Sequence, residues 1–542
     1  MKILGLQGVY PRSHDASACL IDTAAGEIQG LALEESFTRE KRAFDAQPHN
    51  AAAFILEQTG TTPNGLDVIT VGWQYGDRQA KDVLPPQYGA ALDKEIPFEQ
   101  VQHHKAHAAS AFYPSPFSEA AVLVVDGQGE NESTSIWKAD ETGLTQLASY
   151  PVSKSLGYMY GAISRFCGLG SFGAGKVMGL APYGEPKYVD DLAAIYDNMK
   201  LPEVTNGHRG DMQNEYFAEF IKGLRERGLP AATSAYEYSG LSHKVRKMPV
   251  LEDVHRDLAA SAQVFLEQKM LELAREAKAL TGSDNLCMAG GVAMNCVTNS
   301  LIQDSGIFKD LYLQPGCEDS GVSMGSALAV GQTKIPLETA YTGPSFSDDE
   351  IAAWLEHRGI QTERHEDIAT AVAGLLADGK IIGWFQGALE YGPRALGNRS
   401  ILANPGDPGM KDRVNAVKSR EPWRPFGPSV LAEAADDLFV NAYPSPYMLR
   451  SFQVRPEWQD RIPAAVHVDG STRPQTVEAS ANPRYHRLIR AFADLTGLPA
   501  VINTSFNNFD EPIVATPDDA IRTLYTSGLD GLAIGSHLIM KK

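Results

Sequence analysis

The sequence predicts an α/β protein with more than one domain. Short apolar runs of strand length recur near the amino terminus, at Lys2 to Leu6, Ala16 to Asp22 and Glu27 to Leu33, with turn residues between them. A long apolar stripe at helical spacing covers Glu252 to Leu280. With 542 residues, of which 43% are hydrophobic, the chain is long enough for two to four domains with buried cores.

Charge and cysteine usage argue against several classes of protein. The formal net charge of −19 disfavours nonspecific binding to nucleic acid or anionic membranes, because both depend on cationic surface. The five cysteines contain no CxxC pair, which favours reduced thiols over a disulfide framework. The amino terminus is unlike a signal peptide, and no later segment has the apolar length of a bilayer-spanning helix. We therefore expect a cytoplasmic protein that binds neither nucleic acid nor membrane.

The loop between the first two predicted strands carries His14 and Asp15. A polar, glycine-containing loop at this place grips phosphate in actin- and hexokinase-like ATPases, and an ordinary hairpin is an equally good interpretation. The charged run EESFTREKR, at residues 34–42, is typical of a solvated turn. A helix over Asn50 to Gly60 and a strand over Asp67 to Trp73 are predicted next.

The strongest local signal lies between Val101 and Glu130. A helix over Gln102 to Phe112 places His103 and His107 one turn apart on the same face, where two imidazoles can reach one metal. The apolar run Ala121 to Val125 then predicts a buried strand with Asp126 at its carboxyl end, where open α/β sheets hold ligands. Solvated histidines on a surface helix are the alternative.

Glycines dominate the segment that follows. The run from Lys154 to Gly184 is rich in glycine and aromatic residues, so its backbone can approach a ligand or another segment closely. It contains GAGK at residues 173–176, which lacks the spacing of a phosphate loop. Residues from Asn206 to Gly240 are more polar and irregular, which suggests an insertion or lid that shapes an acceptor pocket.

A glycine pair and an aspartate extend the predicted site. The strand Asn285 to Ala289 leads into Gly290 and Gly291, whose bare backbone N–H groups would suit an anion or nucleotide. After a strand at Leu311 to Gln314, Asp319 precedes a small-residue helix and can bring a second carboxylate to the histidines, or simply cap that helix. Two histidines and two aspartates suit iron, manganese or zinc, and ligand type does not choose among these metals.

A domain boundary is expected between Thr333 and Ser347, where Pro, Gly and Ser collect before a helix at Asp348. Beyond it, residues 394–424 carry an excess of cations in an otherwise acidic chain. The cations are Arg394, Arg399, Lys411, Arg413, Lys418, Arg420 and Arg424. Arginine pairs well with phosphate oxygens, so this block predicts a phosphate pocket, with surface ion pairs as the alternative. The run INTSFN at 502–507 adds hydroxyl and amide groups.

Taken together, these motifs resemble the O-carbamoyltransferases of antibiotic and nodulation-factor biosynthesis, among them tobramycin carbamoyltransferase. The resemblance covers nearly the whole chain, and its motifs follow one another in the same order as in the family. Its motifs are HDASA, EESFTREKR, QHHKAHAASAFY, VDGQGE, GKVMGLAPYG, AGGVAMNC, EDSG, FQGALEYGPRALGNRSILANP, REPWRPFGPSV and NTSFN.

The resemblance implies two α/β domains with separate tasks. Residues 1–338 would form an actin/hexokinase-like ATPase fold that carries the metal and transfers the carbamoyl group. Residues 339–542 would form a YrdC-like domain that makes carbamoyl-AMP from carbamoyl phosphate and ATP, with Mg²⁺ accompanying the ATP. The acceptor would be a hydroxyl of a small molecule, antibiotic-like or sugar-like, and the metal would be iron(II). The sequence leaves open the acceptor's identity and the oligomeric state.

The same resemblance assigns roles to individual residues. The metal ligands would be His103, His107, Asp126 and Asp319. Carbamoyl phosphate and the ATP phosphates would be held by Arg394, Lys418, Arg424, Asn503 and Ser505. The adenylate would contact Gly127, Gly290, Gly291 and Asn295. His14 would face the carbamoyl group and acceptor as general base, with Lys41 nearby. One departure is that GAGK lacks the acidic residue expected just before it, so the role of that loop is open.

Three other functions remain possible at this stage. A tRNA-modifying enzyme of the threonylcarbamoyladenosine class would need a basic surface to bind tRNA, and the acidic composition of this chain argues against such a surface. A noncatalytic nucleotide-binding relative would not need the His103, His107 and Asp126 set or the arginine block. A metallohydrolase would need neither ATP nor carbamoyl phosphate.

Overall fold

Strands and helices alternate along the chain, as the apolar runs predict. The computed structural model describes residues 1–10, 12–74, 79–201, 209–239 and 244–541. Internal contacts divide the chain into two units, the first with Met1–Thr38, Arg42–Glu237 and Arg246–Glu338, the second with Arg39–Lys41, Tyr238–Val245 and Thr339–Lys542. No helix in the described ranges is both long and apolar enough to cross a bilayer. All five cysteines are buried and none is bonded to another.

Two sheets with the same topology form the core of the first unit. The strands are β1 (Lys2–Gln7), β2 (Ser17–Asp22), β3 (Glu27–Leu33), β4 (Val68–Val71), β5 (Phe98–Gln100), β6 (Ala120–Val125), β7 (Glu132–Asp140), β8 (Gly143–Pro151), β11 (Asn285–Ala289) and β12 (Asp310–Tyr312). Two further strands, β9 (Thr233–Ser239) and β10 (Lys244–Val250), pair with each other, and Tyr238–Val245 is grouped with the second unit. Over the described residues the first sheet has the order β3-β2-β1-β4-β5, and the second has β8-β7-β6-β11-β12.

Strand directions also repeat between these two sheets. In the first, β1 pairs antiparallel with β2 and parallel with β4, while β2–β3 is antiparallel and β4–β5 parallel. In the second, β6 pairs antiparallel with β7 and parallel with β11, while β7–β8 is antiparallel and β11–β12 parallel. A duplicated sheet of this kind agrees with the expected actin/hexokinase-like fold, and the α/β class is confirmed.

The helices of the first unit cover and connect these sheets. They are α1 (Glu35–Thr38), α2 (His49–Gln58), α3 (Ala80–Val83), α4 (Pro86–Ala90), α5 (His103–Phe112), α6 (Leu156–Phe166), α7 (Ala174–Leu180), α8 (Val189–Asp197), α9 (Arg209–Glu226), α10 (Asp253–Thr281), α11 (Cys296–Asp304) and α12 (Val322–Gly331). Helix α12 packs against both α5 and β1. A Cβ atom on Gly325 of α12 would lie 1.9 Å from the carbonyl oxygen of Ala106 in α5, so only glycine permits this approach.

The polar segment from Asn206 to Gly240 is more regular than its composition suggests. Residues 206–208 and 240 lie outside the described residues, while the rest forms α9, a loop and β9. The expectation of irregular structure was therefore wrong for most of the segment. The buried side chains of Tyr216, Phe217 and Phe220 hold α9 to the unit, and α9 packs on α6. These apolar residues at helical spacing are the signal that the polar composition concealed.

A mixed sheet forms the core of the second unit. Its described strands follow the order β14-β24-β23-β15-β17-β22-β18-β21. The strands of the unit are β13 (Tyr341–Ser345), β14 (Glu363–Arg364), β15 (Ile382–Phe385), β16 (Ala388–Glu390), β17 (Arg399–Ala403), β18 (Gly427–Leu431), β19 (Phe452–Gln453), β20 (Ser471–Thr472), β21 (Gln475–Val477), β22 (Ala500–Ser505), β23 (Gly531–Ile534) and β24 (His537–Met540).

Helices surround this sheet, with hydrophobic clusters formed between them and the strands. They are α13 (Asp348–His357), α14 (Ile368–Ala377), α15 (Met410–Val417), α16 (Ala435–Leu438), α17 (Pro456–Gln459), α18 (Pro483–Thr496) and α19 (Pro517–Thr526). Helix α13 begins at Asp348, as predicted, because Ser347 and Glu350 form a capping box around its first turn. The second unit is thus also α/β.

Candidate functional site

Helix α5 forms as predicted and carries both histidines on one buried face. Gln102 caps its start, because the Gln102 side chain accepts a hydrogen bond from the backbone N–H of Lys105. His103 and His107 are both fully buried, and their ring centroids are 4.6 Å apart. The alternative of solvated histidines on a surface helix was therefore wrong.

The hydrogen bond of one histidine fixes which of its nitrogens faces the other. His103 Nδ1 lies 2.9 Å from the carbonyl oxygen of Gly72, which can only accept, so this nitrogen carries the proton. His103 Nε2 therefore presents a lone pair, and it lies 3.2 Å from His107 Nε2. Burial lowers the pKa of His107, which favours its neutral form. Both features prepare imidazole nitrogens to bind a cation.

Two carboxylates complete a buried group with these histidines. Asp126, at the end of β6, brings Oδ2 to 3.5 Å from His103 Nε2. Asp319, in a short 3₁₀ turn before α12, brings Oδ1 to 3.6 Å from His103 Nε2 and 3.4 Å from His107 Nε2. One atom from each of the four residues lies within 4.8 Å of the others, in the part of the chain that the structure describes.

This donor set fits a divalent metal ion. A metal about 2.1 Å from tetrahedrally arranged donors would separate those donors by roughly 3.4 Å, and the pairs given above lie between 3.2 and 3.6 Å. Asp126 and Asp319 expose only 4% and 2% of their surface. Burying two carboxylates together is unfavourable unless a cation compensates their charge. The group can thus hold a metal, and N and O donors do not choose among iron, manganese and zinc.

The loop between β6 and β7 ties one carboxylate to the histidine helix. It begins with Asp126 and continues to Glu130, whose two carboxylate oxygens each accept from the backbone N–H of His103 at 3.1 Å. Glu132 accepts from the side-chain amide of Gln102, the cap of α5. Acidic groups at a helix amino terminus satisfy its open N–H groups and complement its dipole. One loop therefore supplies a candidate ligand and positions two more.

His14 lies beside this buried group. His14 Nδ1 is 2.8 Å from Asp15 Oδ2 and 3.6 Å from Asp319 Oδ2. Arg42 donates to the same Asp15 oxygen at 3.1 Å. Burial alone would raise the pKa of Asp15, but the charges of Arg42 and His14 outweigh it and lower this pKa. An ionised Asp15 accepts from Nδ1–H, which leaves His14 Nε2 as the nitrogen able to take a proton.

The charged run at residues 34–42 is not a solvated turn, so that expectation was wrong. Glu34 is buried, and its carboxylate accepts from the backbone N–H of Ala51 at 2.8 Å in the first turn of α2. Arg42 holds Asp15, as described above. Arg39–Lys41 belongs to the second unit by its contacts. The partners of these charges are distant in sequence or on another loop, which charge patterning alone does not reveal.

The glycine pair after β11 does not offer bare N–H groups. Gly290 donates to the carbonyl oxygen of Cys317 at 2.8 Å, and Gly291 donates to Asp126 Oδ1 at 2.8 Å. That part of the prediction was wrong. Gly290 has φ of +92°, and a Cβ there would lie 2.4 Å from the Val125 carbonyl oxygen. The pair therefore positions a candidate metal ligand, and its contact with an adenylate stays a prediction.

The other predicted adenylate residues lie near the same strand ends. Asn295 caps α11, since its side chain accepts from the Thr298 N–H at 3.1 Å. Its amide also donates to Gln263 at 3.0 Å. Gly127 follows Asp126 directly, and a Cβ on it would lie 2.7 Å from the Tyr158 ring. GAGK, at residues 173–176, enters the short helix α7, and Gly173 is the residue that caps its start.

In the second unit, Lys418 is the centre of a cationic cluster. It is 6% exposed, and its ammonium donates to Ser505 Oγ at 3.2 Å and to the side chain of Asn507. Burial lowers its pKa far below the usual value, and the charges of Arg420, Lys41 and Arg424 add to this effect. Lys41 thus contributes charge here, within the unit to which contacts assign it. Such positive charge is what a phosphate group would compensate.

Not every cation of the 394–424 block faces this cluster. Arg399 is fully buried and donates to backbone carbonyl oxygens, among them Gly387 at 2.9 Å and Pro344 at 3.1 Å. Burial lowers its pKa to about 9. Arg413 donates to the Gly379 carbonyl oxygen and is half exposed. These two residues have partners within the protein, so only part of the block is available to a phosphate, and the phosphate pocket stays a prediction.

Arg394 and Asn503, both predicted to bind carbamoyl phosphate and ATP, are connected through one loop, which carries Arg394 and accepts a hydrogen bond from Asn503. The Glu390 carboxylate accepts from the backbone N–H groups of Leu396 and Asn398 at 2.8 and 2.7 Å, which shapes the loop that carries Arg394. The Asn503 side chain donates to the Ala395 carbonyl oxygen in that loop at 3.0 Å. Its Oδ1 has no hydrogen-bond partner among the described residues, so it can accept from a ligand.

Sequence reasoning did not assign the observed roles of three residues at these sites. Asp15 orients His14 and Arg42 holds Asp15, while Arg473 adds a smaller effect to the burial that lowers the pKa of Arg420. The adjacency of His14 and Asp15 was a usable signal for the first of these. Arg473 stands alone in sequence, so nothing pointed to it.

Comparison with known families gives matches in both units. Residues 92–328 match the family model described as carbamoyltransferase N-terminus, and residues 373–541 match that described as carbamoyltransferase C-terminus. Together the two matches span most of the chain.

Two relatives extend these matches over almost the full chain. Nodulation protein NolNO of Sinorhizobium fredii is 38% identical over 569 aligned residues, covering 98% of this chain and 79% of that protein. The Synechocystis protein sll1178 is 35% identical over 613 aligned residues, covering 99% of this chain and 96% of that protein. Among solved structures, component A of (R)-2-hydroxyglutaryl-CoA dehydratase from Acidaminococcus fermentans covers 61% of this chain and 98% of its own, at 13% identity and a TM-score of 0.34.

Proposed function

The chain belongs to the carbamoyltransferase family of enzymes, and from that premise we propose that it is an ATP-dependent O-carbamoyltransferase acting on a hydroxyl of a small molecule. The observation that carries this proposal is the placement of His14 and its partner Asp15 beside the buried His₂Asp₂ group. Transfer to a hydroxyl needs a base for the acceptor proton and positive charge for the leaving oxygen.

In the proposed first reaction, the second unit activates carbamoyl phosphate. Water converts carbamoyl phosphate to carbamate and phosphate, and a carbamate oxygen attacks the α-phosphorus of ATP. Pyrophosphate leaves, and carbamoyl-AMP remains. Lys418, Arg424 and Arg394 would hold the phosphates of both substrates, with Mg²⁺ on the ATP. Asn503 Oδ1, which lacks a partner among the described residues, would accept from the carbamoyl NH₂ group.

Lys41 and Ser505 support this assignment from their positions around Lys418. Lys41 is grouped with the second unit, and its charge contributes to the low pKa of Lys418. Ser505 Oγ is a hydrogen-bond partner of the Lys418 ammonium at 3.2 Å. We therefore propose that Lys41 acts on the phosphates as part of this cluster. A bound polyanion would relieve the repulsion among these cations.

In the proposed second reaction, the first unit transfers the carbamoyl group. The acceptor oxygen attacks the carbamoyl carbon, the bond from that carbon to the AMP oxygen breaks, and His14 Nε2 takes the hydroxyl proton. Asp15 keeps the ring in the required tautomer and stabilises the imidazolium that forms. His103, His107, Asp126 and Asp319 would hold the metal, which we propose is iron(II) and which would supply Lewis-acid stabilisation of developing negative charge.

This function is tested by transfer of label from carbamoyl phosphate. The purified protein is incubated with [¹⁴C]carbamoyl phosphate, ATP, Mg²⁺, iron(II) and hydroxylated small molecules. We expect labelled product only when ATP is present, because the adenylate is the carbamoyl donor. Equal labelling without ATP would contradict the proposal, as would label appearing on amines but not on hydroxyls.

A further inference from the structure

Within the second unit, Arg39 binds the loop that leads from β22 to α19. Its guanidinium donates to the carbonyl oxygens of Ile513 at 2.7 Å and Pro512 at 3.1 Å. Its Nε lies 3.2 Å from Asp519 Oδ1 in the first turn of α19. Arg39 exposes 20% of its side chain and Asp519 10%, so water screens this ion pair only weakly. Three partners on one planar guanidinium hold the Arg39 side chain in a defined orientation.

The backbone turns at Arg39 and again directly after Lys41. The angle φ is +59° at Arg39 and +65° at Arg42, in the left-handed region that residues other than glycine seldom adopt. Such conformations cost free energy and persist only where surrounding contacts hold them. The bonds of the Arg39 side chain supply such contacts at the start of the segment Arg39–Lys41, which contacts assign to the second unit.

The loop that Arg39 binds also reaches the Lys418 cluster. Asn507 stands at the start of this loop, and its side-chain oxygen accepts from the Lys418 ammonium. Its Nδ2 donates to the Glu511 carbonyl oxygen at 2.6 Å. Glu511 directly precedes the two residues whose carbonyl oxygens bind Arg39. Hydrogen bonds and consecutive residues therefore connect Lys418 to Arg39 inside the second unit.

Lys41 follows Arg39 by two residues and acts on the same cluster. Burial is the main cause of the low Lys418 pKa, and the charges of Arg420, Lys41 and Arg424 lower it further. Cations that act on one another in this way repel, so attraction within the cluster cannot hold Lys41 there in the absence of a bound anion. The bonds that Arg39 makes to the loop before α19 can hold it.

We propose that Arg39 is a positioning residue of the phosphate site, which fastens the segment Arg39–Lys41 to the loop before α19 and so keeps Lys41 among the cations that bind the substrate phosphates. This inference rests on the proposed function, in which Lys41 and Lys418 act on those phosphates. The Arg39 guanidinium faces two carbonyl oxygens and a carboxylate. Arg39 therefore acts through Lys41 and does not itself contact the substrate.

A double-mutant cycle tests the coupling of Arg39 to Lys41. The readouts are the Kd for inorganic phosphate by calorimetry and the KM for carbamoyl phosphate in the pyrophosphate-release assay. Loss of one charge-assisted contact to phosphate weakens binding roughly tenfold or more, and we expect an effect of this size for Lys41→Met. Arg39→Met should have nearly the same effect. The double variant should be no weaker than Lys41→Met alone, because both substitutions remove one interaction.

Arg358→Met is the matched control. Arg358 follows α13 and pairs at 2.9 Å with Asp518, the neighbour of Asp519 in the first turn of α19. Its substitution should leave phosphate affinity and KM unchanged. Arg39→Lys keeps the charge but lacks the planar guanidinium, so its affinity should lie between those of the wild type and Arg39→Met. It takes the place of Arg39→Met in the cycle if that variant does not fold.

Proton uptake gives a second readout, which an arginine with a purely structural role would not change. When Lys41 is displaced, the Lys418 pKa rises towards its usual value, although Arg420 and Arg424 remain. Fewer protons should then be taken up when phosphate binds. Arg39→Met should reduce the uptake as Lys41→Met does, whereas Arg358→Met should not.

The outcomes separate this inference from the proposed function. Additive losses in the double variant, or wild-type phosphate affinity in Arg39→Met, would overturn the positioning role. If the wild-type protein binds phosphate but releases no pyrophosphate, the proposed function has failed, and the cycle on phosphate affinity still decides whether Arg39 acts through Lys41. Absence of phosphate binding by the wild-type protein would overturn both.

Discussion

His103 Nε2 faces His107 Nε2 at 3.2 Å inside the first unit, while the other ring nitrogen of His103 donates to the Gly72 carbonyl oxygen. Without a cation, His107 Nε2–H can donate to His103 Nε2, whereas two lone pairs facing each other at this distance would repel. A cation between them, completed by the carboxylates of Asp126 and Asp319, removes that repulsion. This relationship between the two histidines is the basis of the metal-binding proposal.

Metal binding should therefore stabilise the protein through His107. After chelation and dialysis, added iron(II), manganese or zinc should raise the Tm, because a ligand that binds only the folded state adds about 2.7 kcal/mol at 100 times its Kd. His107→Ala should abolish the rise. A metal-dependent shift of the same size in this variant would place the metal elsewhere.

Glu130 should affect metal affinity without touching the metal. Its carboxylate holds the first N–H of α5, so Glu130→Ala frees the helix end that carries both histidines. We expect a roughly 10- to 100-fold weaker metal Kd, the range for groups that orient ligands. Competition with a chromophoric chelator measures this. Glu141→Ala, an exposed acidic residue in the turn after β7, is the matched control; equal affinity in both variants would exclude the positioning role.

His14→Asn should separate the two proposed reactions. Asparagine cannot take the acceptor proton, so transfer should fall by about 10² to 10⁴. Carbamoyl-phosphate-dependent pyrophosphate release, which uses the second unit, should continue. Both rates are measured on the same preparation. Loss of both reactions in a folded variant would show that the division of labour between the units is wrong.

Phosphate binding at Lys418 should be linked to proton uptake. Burial and the neighbouring Arg420, Lys41 and Arg424 lower the Lys418 pKa in the protein without ligand. A bound phosphate raises that pKa, so the complex holds more protons and affinity must fall as pH rises between the two values. Calorimetry of phosphate binding in buffers of different ionisation enthalpy measures the uptake. Lys418→Met should remove it, whereas the exposed Lys380→Met should not.

Arg399 and Arg424 should respond in opposite ways to substitution. Arg399→Met leaves buried carbonyl oxygens unsatisfied, so unfolding of the second unit should become easier by about 3 kcal/mol or more. Arg424→Met should lower the Tm much less than Arg399→Met does, because Arg424 is partly exposed, although it removes an ion pair with the buried Glu421 at 3.4 Å. It should abolish pyrophosphate release, because Arg424 lies beside the Lys418 cluster. Calorimetry and the release assay together test the contrast. A reversed pattern would mean that the two arginines were assigned incorrectly.

Much of the fold was predictable because apolar patterning reports burial directly. Strands β3 and β11 have the predicted bounds, and α5 begins within one residue of its predicted start. The His103 and His107 pair could be found because both side chains leave one face of one helix. Predicting Asp126 and Asp319 required only the rule that strand ends and helix starts gather at one edge of a sheet.

Other features depend on partners that the sequence does not identify. Arg42 and Arg399 both stand in charged motifs, yet one holds the carboxylate beside His14 and the other satisfies buried carbonyl oxygens. Lys41 lies in a first-unit motif and is grouped with the second unit. Gly290 and Gly291 were predicted to bind an anion because the sequence of a glycine pair does not show which acceptors its N–H groups contact in the folded protein. These assignments need the tertiary structure.

The most direct test of the central claim is phosphorus NMR of the protein with ATP, Mg²⁺ and carbamoyl phosphate, in the absence of acceptor. We predict signals of pyrophosphate and of a new adenylate, both dependent on carbamoyl phosphate. Addition of an accepted hydroxyl compound should then convert the adenylate to AMP. Formation of ADP and phosphate without pyrophosphate, or no change even after metal and acceptors are added, would contradict the carbamoyl-adenylate mechanism.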